Sequence, residues 1–346
     1  MSVTGVRQVS RRTHLLTPAI ALVLAMSACG GGGGEAGATN SAGSVEGKSV
    51  ALISCGDFNR WCQVFNHGIM DDLRSNGADV TYLESQFDAA VQSQQVDQAI
   101  SQNPDLIILY AADARALVPA MRRAQQRDIP IINVVSAPAP EGKPYITSSV
   151  EPGAVELGKN AGLNLIEGLK EAGVTEGNVV AVTGTAGTIE VPLRMQGFMS
   201  VMDQNPQYKV VETQDANWDP QKAAQISQQL FAKYRDKGGI QGAFGMSDDL
   251  ANAIIQTAKQ AGVTVGAANK GLVVVSSNCY KVGIDNIEAG DQYGTSTESP
   301  GRYSEFVQKW VNEYLTKGSI EKEIIQEEVR ITRANVGEWK DTCSVI

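Results

Sequence analysis

Residues 49–83 read SVALISCGDFNRWCQVFNHGIMDDLRSNGADVTYL, and the order of patterns within them decides the fold. Ser49–Ser54 is a short apolar run, the signature of a strand buried on both faces. Helical spacing follows from Cys62 to Asn76 and stops at Asn76-Gly77, a helix-ending pair. Ala78–Leu83 then reads as a second strand. Strand, helix and strand in that order form a parallel βαβ unit.

The same alternation continues on the C-terminal side. Asp105–Tyr110, Ile129–Val135 and Pro144–Ser149 read as strands, with helices over Ala89–Gln102 and Arg115–Arg127. It then restarts with strands at Gly177–Gly184, Tyr208–Ala216, Gln241–Ser247 and Gly271–Asn278. Helices over Ile189–Gln204, Pro220–Tyr234 and Asp249–Gln260 separate them. Two such series predict two α/β lobes, each a doubly wound parallel sheet with helices on both faces. Ligands of these sheets bind beyond the carboxyl ends of the strands. Those ends carry Ser54, Tyr110, Ser136, Gly184, Asn217-Trp218, Ser247 and Asn278, polar, small or aromatic where a structural turn favours Gly, Pro and Asp.

The N-terminus reads as targeting sequence. Arg7, Arg11 and Arg12 precede the apolar Ala19–Ala25, and Met26-Ser27-Ala28-Cys29 closes the segment with small residues, the order of a secretory signal over residues 1–28. The cysteine after a small residue resembles a bacterial lipobox, which implies a diacylglyceryl group on Cys29. Ser10-Arg11-Arg12-Thr13-His14-Leu15 also resembles a twin-arginine export motif, with His14 where an aromatic is usual; two ordinary signal arginines explain it equally. Residues 29–47, rich in Gly, Ala and Ser, form a tether that cannot bury a core. Loss of the signal removes three arginines and no acid, moving the formal charge from -9 to -12. So acidic a chain is a poor binder of nucleic acid.

Cys55, Cys62, Cys279 and Cys343 remain after Cys29. In an exported chain an even number favours disulfides, and four cysteines allow three pairings. The short local pair Cys55–Cys62 leaves Cys279 with Cys343; the other pairings stay open. A metal site lacks ligands, since His67 is the one histidine beyond the signal and no C-x-x-C occurs.

With the strand ends aligned, the chain resembles the type I periplasmic sugar-binding proteins, near their ribose-binding branch. The resemblance runs from Val50 to about Val336. It rests on Ser54, Asn59-x-Trp61, Phe65-x-x-Gly68, Asp105–Ile108, Ile129–Ile132, Gly184–Thr188, Arg194-x-x-Gly197-Phe198, Trp218-Asp219 and Ser247–Ala251 in order. It implies two Rossmann-like lobes joined by a three-strand hinge. The crossings are expected near Ser148–Glu151, Ser296–Ser299 and Glu327–Val329. The N-terminal lobe is then 48–147 plus 300–326, and the C-terminal lobe 148–298 plus 327–346. A small solute lies between the lobes, and the closed form meets an ABC transporter permease. No catalytic cofactor is implied, and the chain is expected to be a monomer held at the outer face of the cell membrane through lipidated Cys29.

Carried over residue by residue, the resemblance implies that Asn59 binds hydroxyls and that Trp61 and Trp218 stack on the solute from opposite lobes. A Cys55–Cys62 bridge would pre-order the loop that carries Asn59 and Trp61. The chain departs from the pentose and hexose binders at Val135-Ser136, Pro192, Ser247, Asn278 and Glu298. The family's guanidinium forks are therefore expected to be missing. Asp57, Glu190, Asp248 and Glu298 supply acceptors instead. Asp248 and Asp113 have a competing role as helix caps, preferred for Asp113, and Arg194 reads as a structural partner. The expected ligand is a neutral polyol or sugar, bound by Ser54, Asp57, Asn59, Trp61, Tyr110, Ser136, Glu190, Trp218, Ser247, Asp248, Asn278 and Glu298. An amine-bearing solute comes second.

An enzyme is disfavoured: G-x-S-x-G is absent, no Gly-Lys-Ser/Thr follows Gly184–Thr188, and His67 has no visible triad partner. A sugar-responsive regulator would carry a helix-turn-helix where this chain has a lipobox and tether. A sensor presenting ligand to a receptor kinase would use the same closure as a transporter component.

Overall fold

The computed structural model describes residues 44–57, 59–186 and 188–344. The signal segment, the lipidation expected at Cys29 and most of the tether lie outside them. Two six-stranded sheets organise the chain.

The first lobe begins with β1 (Ser49–Ser54), α1 (Arg60–Ser75), β2 (Asp79–Glu84), α2 (Ala89–Gln102), β3 (Leu106–Leu109), α3 (Val118–Gln125), β4 (Ile131–Val134) and β5 (Ser148–Pro152). The second holds α4 (Ala154–Glu171), β6 (Gly177–Thr183), α5 (Glu190–Met202), β7 (Tyr208–Asp215), α6 (Pro220–Tyr234), β8 (Gly242–Gly245), α7 (Asp248–Gln260), β9 (Val273–Val275), α8 (Lys281–Ala289) and β10 (Gly294–Ser296). The chain returns to the first lobe through α9 (Pro300–Lys317) and β11 (Glu323–Gln326), then ends in the second with β12 (Arg330–Thr332) and α10 (Val336–Cys343).

The strand orders are β11-β5-β4-β3-β1-β2 and β12-β10-β9-β8-β6-β7. Every pairing is parallel except that of β12 with β10. The chain passes between the sheets after Pro152, after Ser296 and after Gln326. β5 belongs to the first sheet, paired with β4 and β11. The first crossing therefore follows Pro152, a few residues beyond the boundary expected at Ser148.

Alternation along β1 divides the first core. Val50 and Leu52 face α1 and α9, packing with Phe65, Ile69, Leu73, Tyr303 and Val307. Ala51 and Ile53 face α2 and α3, packing with Val96, Ala99, Leu117 and Met121. A run apolar at every position is what such two-sided burial requires. Phe65 is fully buried, and its truncation to Ala would cost about 3–5 kcal/mol. The second lobe has one large core around β6, β8 and β9, with a smaller one under α8 and α10 that includes Cys279 and Cys343.

Two glycines let α4 and α5 cross in near backbone contact. A Cβ at Gly158 would lie 1.8 Å from the carbonyl oxygen of Arg194, and one at Gly197 would lie 1.8 Å from that of Val155. The contact fixes the backbone from which the Arg194 side chain projects. The pairings Cys55–Cys62 and Cys279–Cys343 are both formed, each within one lobe.

Candidate functional site

The carboxyl ends of both sheets open on a shared cavity of about 320 Å³, lined from both lobes. From the first lobe come Asn59, Trp61, Cys62, Phe87, Tyr110, Ala112, Asp113, Val135 and Pro152; from the second come Thr185, Ala186, Thr188, Glu190, Arg194, Asn217, Trp218, Asn278, Tyr280 and Glu298. The first set is mainly aromatic and apolar, the second mainly polar. A second cavity of about 430 Å³ shares Asn59, Trp61, Trp218 and Tyr280 with it, and adds Ser247 and Lys281.

Local structure positions each wall. Asn59 caps α1, its Oδ1 accepting from the Cys62 N–H at 2.8 Å. The cap and the Cys55–Cys62 bridge set the α1 entrance, from which Trp61 stacks on Phe65 at 5.0 Å. Trp61 also donates its indole N–H to Glu298 Oε1 at 3.1 Å. It thus belongs partly to the first core while a face lines the cavity. Opposite, Trp218 lies against Gly184, where a Cβ would fall 2.0 Å from the indole Cε2.

Bulky apolar residues seldom take positive φ, which costs about 1–2 kcal/mol in the left-handed region. Phe87 (φ 61°), Val135 (φ 66°) and Trp218 (φ 61°) all do, and all three line the cavity. The β2–α2 and β7–α6 turns repeat one another. In each, two consecutive residues have positive φ, Gln86-Phe87 and Asn217-Trp218. In each, the next residue is an aspartate helix cap, Asp88 or Asp219, whose N–H donates to the residue three back at 3.0 Å. Each lobe thereby presents one aromatic ring from the same kind of turn.

The polar floor is a network centred on Arg194, whose buried Nε is left without a hydrogen-bond partner. Arg194 Nη1 donates to the Met246 carbonyl at 3.3 Å, Ser277 Oγ at 3.3 Å and Asn278 Oδ1 at 3.2 Å, and Nη2 donates to Glu298 Oε2 at 3.4 Å. Its guanidinium also lies 5.7 Å from the Trp218 ring centroid. The Asn278 amide donates to Glu298 Oε2. Burial pushes the Glu298 carboxyl up to about 7 against the pull of Arg194. Glu190 is raised by burial too, and it bridges the lobes by accepting from Tyr110 Oη at 3.5 Å and Ser136 Oγ at 3.2 Å.

Of the residues expected at the site, Asn59, Trp61, Tyr110, Glu190, Trp218, Asn278 and Glu298 line the main cavity. Ser136 reaches it only through Glu190. Ser247 caps α7 and lines the neighbouring cavity. Three expected residues lie elsewhere. Ser54 is fully buried and donates to Asn66 Oδ1 at 2.7 Å. Asp57 turns towards α1 and β2, meeting His67 Nε2 at 2.9 Å and accepting from Tyr82 Oη at 3.2 Å. Asp248 is fully buried, accepting from the Tyr280 N–H at 2.9 Å, from Gln292 Nε2 at 2.9 Å and from Ser276 Oγ. It anchors the loop that carries Tyr280 rather than facing the cavity.

Two expectations change at Asp113 and Arg194. Asp113 does cap its turn, accepting from the Arg115 and Ala116 N–H groups at 2.9 and 2.8 Å, and also lines the cavity. Arg194 places one guanidinium in the wall, where none was expected. Phe87, Val135 and Tyr280 were not expected as wall residues. A comparison of Gln86-Phe87-Asp88 with Asn217-Trp218-Asp219 would have flagged Phe87. Among the described residues, no group of three or more His, Cys, Asp or Glu is placed to hold a metal ion, and no helix is long and apolar enough to cross a membrane.

Residues 50–319 match the family described as "Periplasmic binding protein domain". A xylitol-binding protein of Mycolicibacterium smegmatis is 24% identical over 284 residues, covering 82% of this chain and 77% of its own. A fructose import binding protein of Bifidobacterium longum is 24% identical over 336 residues, covering 96% of this chain and 97% of its own. The crystal structure of a galactofuranose-binding protein superposes with a TM-score of 0.77 at 17% identity, covering 86% of this chain and 98% of that one.

Proposed function

The chain belongs to the periplasmic binding protein domain family, and on that footing we propose that it is the substrate-binding component of an ABC importer for a small neutral sugar or polyol. The solute is held between the lobes and delivered to a permease. Its relatives bind solutes rather than turn them over, and sugars or a polyol are what the two named relatives take.

The observation that carries the ligand class is how Arg194 is used. Both of its terminal nitrogens already donate to protein acceptors, and only its buried Nε lacks a partner, a single N–H rather than the two-pronged fork that a carboxylate or phosphate takes. An anionic solute would have to compete with Glu298 for the cation, beside a second buried carboxyl at Glu190. A hydroxyl-bearing neutral molecule needs no such exchange. It can stack on the two indoles and share hydrogen bonds with Asn59, Asn278 and the carboxyls. Contacts to both lobes favour the closed state by their extra free energy there. Membrane attachment through Cys29 and action as a monomer complete the reading; presentation to a receptor kinase would use the same site.

A thermal-shift screen of polyols, pentoses, hexoses, sugar acids and amines tests it. Stabilisation by a neutral polyol or sugar is expected. Stabilisation by sugar acids or phosphates alone would refute the ligand class, and by amines alone would favour an amine-bearing solute, for which the acidic pair Glu190 and Glu298 argues.

A further inference from the structure

We propose that the solute carries an alkyl edge, a methyl or methylene where a fully hydroxylated sugar or polyol has a hydroxyl, and that Phe87 and Val135 recognise it. The inference rests on the solute-binding reading above and narrows it.

Strain is the first ground. Among the described residues at positive φ other than glycine, the ones with hydrophobic side chains are Phe87, Val135 and Trp218. The others are Gln, Asn, Asp and Lys, and Asn or Asp tolerates this backbone best. A phenyl ring and a β-branched valine are poor choices for such positions, so something other than backbone preference keeps them there. All three line the same cavity. Strained residues gathered at one cleft point to function.

The chemistry of the first lobe's wall is the second ground. Several of its polar atoms already have protein partners: Asn59 Oδ1 and Asp113 Oδ1 accept from backbone N–H groups, and Tyr110 Oη donates to Glu190, so the Asn59 amide N–H is what this wall offers a hydroxyl. Phe87 meets Tyr110 edge-on at 4.9 Å, which holds its ring in the wall. A solute hydroxyl pressed against Phe87 and Val135 would lose its water and gain no partner there. A methyl or methylene would lose nothing and cover apolar surface. The polar second lobe takes the hydroxyl edge of the same molecule.

Calorimetric titration of the full chain with matched pairs tests the inference: D-galactose against D-fucose, D-glucose against 6-deoxy-D-glucose, and xylitol against 1-deoxyxylitol. In the pair that fits, the deoxy member should bind on the order of tenfold more tightly or better. Phe87→Asn places at this positive-φ position a residue type that tolerates it, as Asn103 and Asn217 do elsewhere, and should erase that preference. The wild-type comparison stands whether or not the variant folds. Equal or tighter binding of the hydroxylated member in every pair that binds overturns the alkyl-edge inference alone, as does a preference unchanged in a folded Phe87→Asn. If no neutral compound binds while a sugar acid or an amine does, the solute reading falls and this inference with it.

Discussion

The indole N–H of Trp61 and Oε1 of Glu298 meet at 3.1 Å, joining the first lobe to the segment where the chain makes its second crossing. The other carboxyl oxygen of Glu298 takes Arg194 and Asn278 from the second lobe. Glu298 is therefore the joint on which both halves of the cavity converge, and its ionisation bears on stability.

Burial raises Glu298 from its ordinary 4.5 to about 7. Between those pH values the folded chain keeps a proton that the unfolded chain has released. The resulting stabilisation is full below the window and disappears as pH rises through it. Glu298→Gln cannot titrate. We predict that the wild type loses about 3 kcal/mol relative to this variant between pH 4.5 and 8, measured by urea unfolding of both. A pH-independent difference, or one of opposite sign, would contradict the protonated buried carboxyl.

Gly184→Ala tests how Trp218 is seated. The glycine has ordinary backbone geometry, but the added methyl would meet the indole at 2.0 Å. The ring must move. We expect solute affinity to fall about tenfold or more through a residue that has no side chain to offer a solute, with a stability loss of about 1–3 kcal/mol. Unchanged affinity would mean that the Trp218 ring is not a binding surface.

Much of this architecture was legible because buried parallel strands read as unbroken Val, Ile and Leu runs. The first strand was expected at Ser49–Ser54 and is found there, and helices α2 and α6 match their expected spans. The lobe assignment of β5 was not legible, since its partner β11 lies far along the chain and no local pattern marks the pairing. Asp248 misled for a similar reason. It stands at a strand end, yet Ser276, Tyr280 and Gln292 draw it inward, and Gly283 leaves the room, since a Cβ there would sit 2.2 Å from Asp248 Oδ1. Phe87 sits in a turn whose sequence looks like an ordinary loop until Gln86-Phe87-Asp88 is set beside Asn217-Trp218-Asp219, and the shared backbone then shows its use.

The two disulfides should separate binding from stability. Cys55–Cys62 closes a short loop with a sequence separation of 7, Cys279–Cys343 a longer one with a separation of 64. Loop-closure entropy makes the first worth roughly 2–3 kcal/mol and the second roughly 4 kcal/mol. The first, however, sits under Asn59 and Trp61. We predict that the Cys55→Ser, Cys62→Ser pair weakens solute binding more, while Cys279→Ser, Cys343→Ser lowers the melting temperature more. Equal losses of affinity would contradict the positioning role of the shorter bridge.

Grip between the two indoles is tested most directly by calorimetric titration of whichever neutral solute best stabilises the chain, against wild type, Trp61→Ala, Trp218→Ala and the double variant. Saturation at one solute per chain is expected, with each single substitution costing about 2 kcal/mol or more, near thirtyfold in Kd. Undiminished binding by a folded double variant would place the solute somewhere other than the cavity between the lobes.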